Sequence, residues 1–343
     1  MSSSARAVPR TAIRVLHTLR PPDGRTRYVD QMIAGAPPQV SVRTFSWPRA
    51  LLGAYDVFQI HWPEFLVRHR TWLGSLVKRG LTRLLLLRLS VTGTPVVRTA
   101  HNLAPHEPGE PAERRLLDSV DRRSAYWIAL NPTTVLPPGA EGSVILHGHY
   151  RGRFAASEGP PTAGRVLQFG LIRPYKGVEG LIEAVRASSR QDLSLRVVGR
   201  PVDDTMRRAV EDRATGDPRV SLSLAFVPDD ELAREVAAAQ LVVLPYRELH
   251  NSGVALVALS LDRPILVPRT PASEALREEV GPGWVLLFDG ELTPQVLESA
   301  VDRAAQVVGA GGAPDLRDRD WATVGERHAE VYRHVLGRSG GSR

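Results

Sequence analysis

Cysteine is absent from this chain of 343 residues, which excludes disulfide frameworks and thiolate metal sites and argues against a cross-linked extracellular scaffold. Aromatic residues are scarce at 6% and methionine occurs three times, so the core must be largely aliphatic. The hydrophobic fraction of 43% is ample for that and fits an ordinary soluble globular protein. No apolar run is long enough to span a bilayer, and the opening MSSSARAVPRTAIRVLH has no stretch of signal-peptide length, so a cytoplasmic protein is expected. Positive charge is in excess: 44 Lys and Arg against 37 Asp and Glu give +7. That balance points to an anionic partner such as a nucleotide, a membrane surface or nucleic acid, unless an arginine-rich composition alone produces it.

The length favours two domains. Short apolar runs alternate with helix-period segments, the pattern of parallel α/β layers. Strands are expected at Ile13–His17, Val40–Phe45, Val57–His61, Val96–Thr99, Tyr126–Leu130 and Gly142–Leu146, then at Val166–Phe169, Leu193–Val198, Val220–Leu224, Leu241–Leu244, Pro264–Val267 and Trp284–Phe288. The segment SEGPPTAG at 157–164 reads as a linker, because its prolines and glycines neither pack nor form helix readily. The expected division is therefore residues 1–156, residues 165–319, and a terminal helix over 320–336 returning to the first domain.

Two loops carry the clearest chemistry. In VLQFGLIRPYKGVEGLIEA (166–184) a buried strand leads into a glycine-started loop bearing Arg173 and Lys176, then a helix. Two cations after a parallel strand face an anion, usually phosphate, although two solvated surface cations would look the same in isolation. In the second loop, Asn251-Ser252-Gly253 opens a helix after the strand ending at Pro245, where free backbone N–H groups accept an anion.

Taken in order, Phe169-Gly170-Leu171-Ile172-Arg173-Pro174-Tyr175-Lys176-Gly177, Leu195-Arg196-Val197-Val198-Gly199, Phe226-Val227-Pro228-Asp229-Asp230-Glu231-Leu232, Val243-Leu244-Pro245 and the helix from Ser252 into Arg263-Pro264-Ile265-Leu266-Val267 cover the second half of the chain. This series resembles the nucleotide-sugar domain of GT-B fold glycosyltransferases, in particular the family 4-like (group 1) enzymes. The resemblance implies an α/β protein of GT-B architecture, with two Rossmann-like domains facing across a cleft. It implies that Arg173, Lys176 and the helix start at Asn251, Ser252 and Gly253 hold the donor diphosphate beside Gly170. Gly199, Arg200 and Val227 would contact base and ribose, and Glu248 the donor sugar. The arginine that usually follows the first loop glycine is replaced by Leu171, with Arg173 two residues on. The family's pair of glutamates eight positions apart falls on Leu249 and Val257, so retention of anomeric configuration does not carry over.

Six of the ten histidines sit at expected strand ends: His17, His61, His101, His106, His147 and His149. Single histidines are more often structural, but such ends line the cleft in these folds. Zinc is the first rival for a histidine cluster, yet no pair has i, i+4 spacing with an acid, and no metal is assigned. An imidazole can bind a sugar hydroxyl or act as base, and His101 is the first choice for that, with Glu248 as second catalytic candidate. Gly24, His61, Glu64 and His106 are expected on the acceptor side, and His147-Gly148 as a packing or hinge element.

The stretch RHRTWLGSLVKRGLTRLLLLR (68–88) reads as an amphipathic helix whose cationic side carries Arg68, Arg70, Lys78, Arg79, Arg83 and Arg88. It would either lie on an anionic membrane or pack on the core with a solvated basic face. Asp318-Arg319-Asp320 mimics a metal-binding DxD but reads as a helix cap. The expected function is metal-independent transfer of a sugar, without a cofactor, from a GDP- or UDP-sugar to a hydroxyl of a glycan or lipid-linked acceptor. Such a hexosyltransferase would serve polysaccharide or glycolipid biosynthesis, with peripheral membrane contact and no nucleic-acid partner. The alternative is a non-catalytic nucleotide-sugar or glycan-binding protein on the same scaffold.

Overall fold

The computed structural model describes residues 12–22, 27–101, 110–154, 159–246 and 251–340. They form two compact units, Met1–Gly148 with Asp318–Arg343, and His149–Arg317. The first unit holds six strands: β1 (Ile13–His17), β2 (Val40–Thr44), β3 (Val57–Ile60), β4 (Val96–Ala100), β5 (Ser124–Ala129) and β6 (Gly142–Val144). All pairings are parallel, in the order β2-β1-β3-β4-β5-β6. The central strands β3 and β4 are buried on both faces, hence their near-continuous apolar sequences. Val15, Val57 and Val97 point into one core, and Leu16, Phe58 and Val96 into the other.

The second unit repeats the plan with β7 (Arg165–Phe169), β8 (Ser194–Val198), β9 (Val220–Ser223), β10 (Leu241–Val243), β11 (Ile265–Pro268) and β12 (Val285–Phe288). Its parallel order is β12-β11-β10-β7-β8-β9. From β7 the chain runs outward to β9, then returns to β10 on the other side of β7. The β7/β10 boundary is thus the topological switch point, where parallel sheets open a crevice at the strands' carboxyl ends.

The expected linker does not mark the division. Tyr150 and Phe154 are buried in the second unit's core, and the Tyr150 N–H donates to Ser260 Oγ at 2.8 Å. Arg151 pairs with Asp262 at 2.7 Å and Arg153 with Asp229 at 3.2 Å. Residues 149–154 therefore belong to the second unit. At the other end the first unit resumes at Asp318, with buried Arg319 donating to the His147 carbonyl at 2.8 Å. Asp320 caps the terminal helix through the Ala322 N–H at 2.8 Å.

That helix, Trp321–Gly340, buries Trp321, Val324, Tyr332 and Val335 in the first unit's core. Close approach is made by glycine: a Cβ on Gly325 would lie 2.0 Å from the Gly35 carbonyl oxygen, and one on Gly148 2.3 Å from the Trp321 ring. Gly325→Ala is accordingly expected to cost about 1–3 kcal/mol through overpacking. Gly337→Ala, on the same helix in open space, should be neutral or stabilising by up to about 1 kcal/mol. Thermal unfolding of the two variants checks this; equal midpoints would contradict the packing account.

The helix Trp72–Val91 is apolar on two sides. Thr82, Leu85 and Leu89 are buried, while Trp72, Leu73, Leu76, Val77, Leu84, Leu87 and Val91 are all more than half exposed. The cations expected to form a solvated face are mostly turned inward. Arg68 and Arg79 pair with Glu113, Lys78 donates to the Phe65 carbonyl at 2.7 Å, and Arg88 donates to the Gly53 carbonyl. Only Arg70 and Arg83 of the six are exposed. The outward face of this helix is therefore apolar rather than basic.

Candidate active site

In the second unit, the loops after β7, β8 and β10 converge. The Gly170 N–H donates to the Val198 carbonyl at 2.9 Å and the Ile172 N–H to the Arg200 carbonyl at 2.9 Å, tying the first two loops together. Gly170 (φ +102°) and Gly199 (φ +144°) adopt backbone conformations that L side chains rarely reach. A Cβ on Gly199 would fall 2.0 Å from the Gly170 carbonyl oxygen, so the second glycine lets the first loop fold over the β8 end.

Space above Gly170 is bounded by Lys176 and Val254: a Cβ there would lie 3.4 Å from Lys176 Nζ and 3.2 Å from Val254 Cγ2. Lys176 ends the short turn Pro174–Lys176 and is brought against β10 by Gly177, whose Cβ position is 2.4 Å from the Pro245 carbonyl oxygen. The ammonium is buried and sits 4.9 Å from the centroid of the Tyr246 ring. Burial, then the nearby Arg173, pushes its pKa down to about 8. Among the described residues no carboxylate contributes to that shift. A buried cation without a countercharge is costly, and such perturbed groups mark functional sites. The Tyr246 hydroxyl is buried and has no hydrogen-bond partner among the described residues, and burial also raises its pKa, leaving it protonated and able to donate.

Val254 belongs to the helix Gly253–Ser260, whose N-cap Ser252 accepts the Ala255 N–H at 3.2 Å. Its first turn therefore opens beside Lys176 with the positive end of its dipole. Arg173 and Asn251 are half-buried on the same loops, and Arg200 is exposed. Val227, half-buried after β9, packs against the same core cluster as Tyr246 and Val254. Glu248 lies outside the described residues, as do Gly24 and His106.

In the first unit, β1, β3 and β4 are neighbours in the sheet, and each delivers a histidine at its carboxyl end: His17, His61 and His101. Parallel strands are about 4.8 Å apart, which places successive imidazoles within one hydrogen bond. His17 Nδ1 is 2.9 Å from His61 Nε2, and His61 Nδ1 is 3.2 Å from His101 Nε2. Trp62 stacks on His101 at 4.2 Å and Tyr28 meets its edge at 5.0 Å. All three rings are buried, and burial holds them neutral: His17 is pushed down to about 3, His61 and His101 well below the ordinary range. Neighbouring histidines and Arg98 add to this at His61 and His101. Glu64 is half-buried at the start of the helix Glu64–Val67. His147 is buried against Tyr28, at 4.9 Å, and ends the first unit with Gly148. No group of three or more His, Asp or Glu among the described residues is arranged to hold a metal ion.

Sequence reasoning missed Tyr246, Val254, Tyr28, Trp62, Gln59 and Tyr332. The one available signal was Gln59, a polar residue inside the apolar run VFQI.

The model of the family described as glycosyl transferases group 1 matches residues 163–321. A GDP-mannose:glycolipid 4-beta-D-mannosyltransferase of Xanthomonas campestris pv. campestris is 47% identical over 348 residues, 99% of each chain. Among solved structures, Anabaena HepE in complex with UDP and glucose superposes with a TM-score of 0.64 at 15% identity, covering 94% of this chain and all of that one. Sucrose-phosphate synthase from Thermosynechococcus elongatus gives 0.61 at 13% identity, over 95% and 100%. The fold, with the mannosyltransferase relative, thus defines a GT-B glycosyltransferase. The chain belongs to the group 1 glycosyltransferases and is an enzyme that moves a sugar from a nucleotide-diphosphate donor to an acceptor hydroxyl.

Proposed function

We propose that the enzyme transfers mannose from GDP-mannose to a hydroxyl of a glycolipid at a membrane surface, with inversion at the anomeric carbon and without a divalent ion. The observation carrying this is the 47% identity, over essentially both whole chains, to a relative so named. The nucleotide holds mannose in α-linkage, so a β-mannoside requires a single displacement and a base for the acceptor proton. In that step the acceptor oxygen bonds to the anomeric carbon, its proton passes to His101, and GDP leaves with the bonding pair. Lys176, Arg173 and the helix start at Asn251, Ser252 and Gly253 meet the developing charge, the role a metal ion otherwise fills. Gly170 and Gly199 give the diphosphate room, and Arg200 and Val227 flank base and ribose. His61 and Glu64 face the acceptor side.

A panel of nucleotide sugars tests the donor. GDP-mannose at a hundredfold its dissociation constant should stabilise the protein by about 2.7 kcal/mol, and UDP-glucose much less. Preference for UDP-glucose would overturn the donor assignment, and loss of activity in EDTA would overturn metal independence.

The membrane reading rests on the outward face of the helix Trp72–Val91. No helix among the described residues is long and apolar enough to cross a membrane, but seven large apolar side chains on one helical face form a patch suited to the interfacial region. Exposed Arg70 and Arg83 give it attraction for anionic headgroups. Leu76→Glu with Leu87→Glu is expected to lower partitioning onto vesicles containing anionic phospholipid by about tenfold or more, since each buried CH2 is worth about 0.8 kcal/mol. Unchanged co-sedimentation of the folded double variant would refute the surface.

A further inference from the structure

The histidine row continues inward. His17 Nε2 is 3.4 Å from the Tyr332 hydroxyl, which donates to Gln59 Oε1, and Gln59 Nε2 donates to Thr99 Oγ1 at 2.8 Å. Every member is buried. A tyrosine hydroxyl has one proton, and an amide oxygen can only accept. Once that proton is committed to Gln59, Tyr332 can only accept from His17, so His17 carries its proton on Nε2 and accepts at Nδ1. His61 must then donate from Nε2 and accept at Nδ1. His101, in turn, donates from Nε2.

We infer that Gln59 and Tyr332 are positioning residues which set the direction of this hydrogen-bond row and thereby hold His101 in the tautomer whose unprotonated nitrogen is Nδ1. The inference rests on the reading of His101 as the base and deepens it. A neutral imidazole abstracts a proton only through its unprotonated nitrogen, and in a buried row every ring must flip its tautomer together or leave a donor unpaired. The direction is fixed three and four hydrogen bonds away from His101, on the terminal helix and the middle of β3. The proton taken up at Nδ1 creates an imidazolium whose Nε2–H already points at His61, so charge spreads into the row without any ring turning.

Tyr332→Phe removes the acceptor for His17 Nε2–H, which favours the reversed row because a buried orphan donor is costly. Gln59→Met has the same consequence by freeing the Tyr332 proton, whereas Gln59→Glu keeps an acceptor for it. Imidazole 15N shifts on the intact enzyme should show His101 protonated at Nε2 alone, and protonation shifting to Nδ1 in Tyr332→Phe. kcat should fall about tenfold in Tyr332→Phe and Gln59→Met, with donor and acceptor KM within twofold, and recover in Gln59→Glu. A His101 protonated at Nδ1 in the unaltered enzyme, or one tautomer and one kcat across all variants, would overturn the inference. Since the shifts need no turnover, they stand apart from the base reading, which fails separately if His101→Gln retains activity.

Discussion

Lys176→Met is expected to lower kcat/KM for the donor by about 10²–10³-fold, the scale on which a preorganised positive group acts on a leaving diphosphate in a dry site. The same substitution should leave the ligand-free protein equally stable or more so. Lys176 is buried with its charge opposed by desolvation and by Arg173, and an apolar side chain of similar length removes that cost while keeping the contact with Tyr246. Opposite signs in the two measurements distinguish a ligand-directed cation from a structural one. Lys176→Arg should not restore activity, since Gly170 and Val254 confine the ammonium and a planar guanidinium fills space differently. The free ammonium loses its proton through about pH 8. A diphosphate favours the charged form, so donor affinity should fall as pH rises above that value, with proton uptake on binding. Calorimetry in buffers of different ionisation enthalpy reads this directly. A Lys176→Met enzyme with unaltered donor affinity, or binding independent of pH between 7 and 9, would remove Lys176 from the phosphate site.

Much of the fold was legible because parallel strands covered on both faces are continuous apolar runs; twelve were expected, and each has a counterpart within a few residues. The division between units was misplaced, because prolines and glycines mark a break in regular structure, whereas a boundary is set by packing. Tyr150 and Phe154 are committed to the second core before the break is reached. The strand, loop and helix around Arg173 and Lys176 were readable since the glycine, the cations and the helix start are local in sequence, within one strand-loop-helix segment. The histidine row was not, because it depends on β1, β3 and β4 being adjacent, and strand order is not written in any one segment. The helix Trp72–Val91 shows a third limit. Periodicity established the helix, but with apolar residues on two sides the outward face was decided by Glu113, the Phe65 and Gly53 carbonyls and Tyr55, which drew the cations inward.

His101→Gln is expected to lower kcat by about 10²–10⁴-fold, the usual share of general-base catalysis, while leaving donor binding intact. Glutamine preserves polar bulk next to His61 and Trp62 but offers no basic nitrogen. The acid limb of the pH–rate profile is the sharper readout. Burial, with His147 and Arg98 adding to it, holds the His101 pKa well below the ordinary imidazole value. His61 is held down by burial, by His17 and His328, and by Arg98. The neutral, base-competent form therefore persists as pH falls past the point where an exposed histidine would already be charged. kcat/KM should stay flat through about pH 6 and decline only below it, toward the depressed pKa. Combined with the Lys176 limb near pH 8, the profile of the free enzyme becomes a plateau bounded by two groups, one in each unit. Lys176→Met should abolish the alkaline limb alone and His101→Gln the acid limb alone. An acid limb that persists in His101→Gln would assign the proton transfer to another group and reduce the histidine row to a structural element of the first sheet.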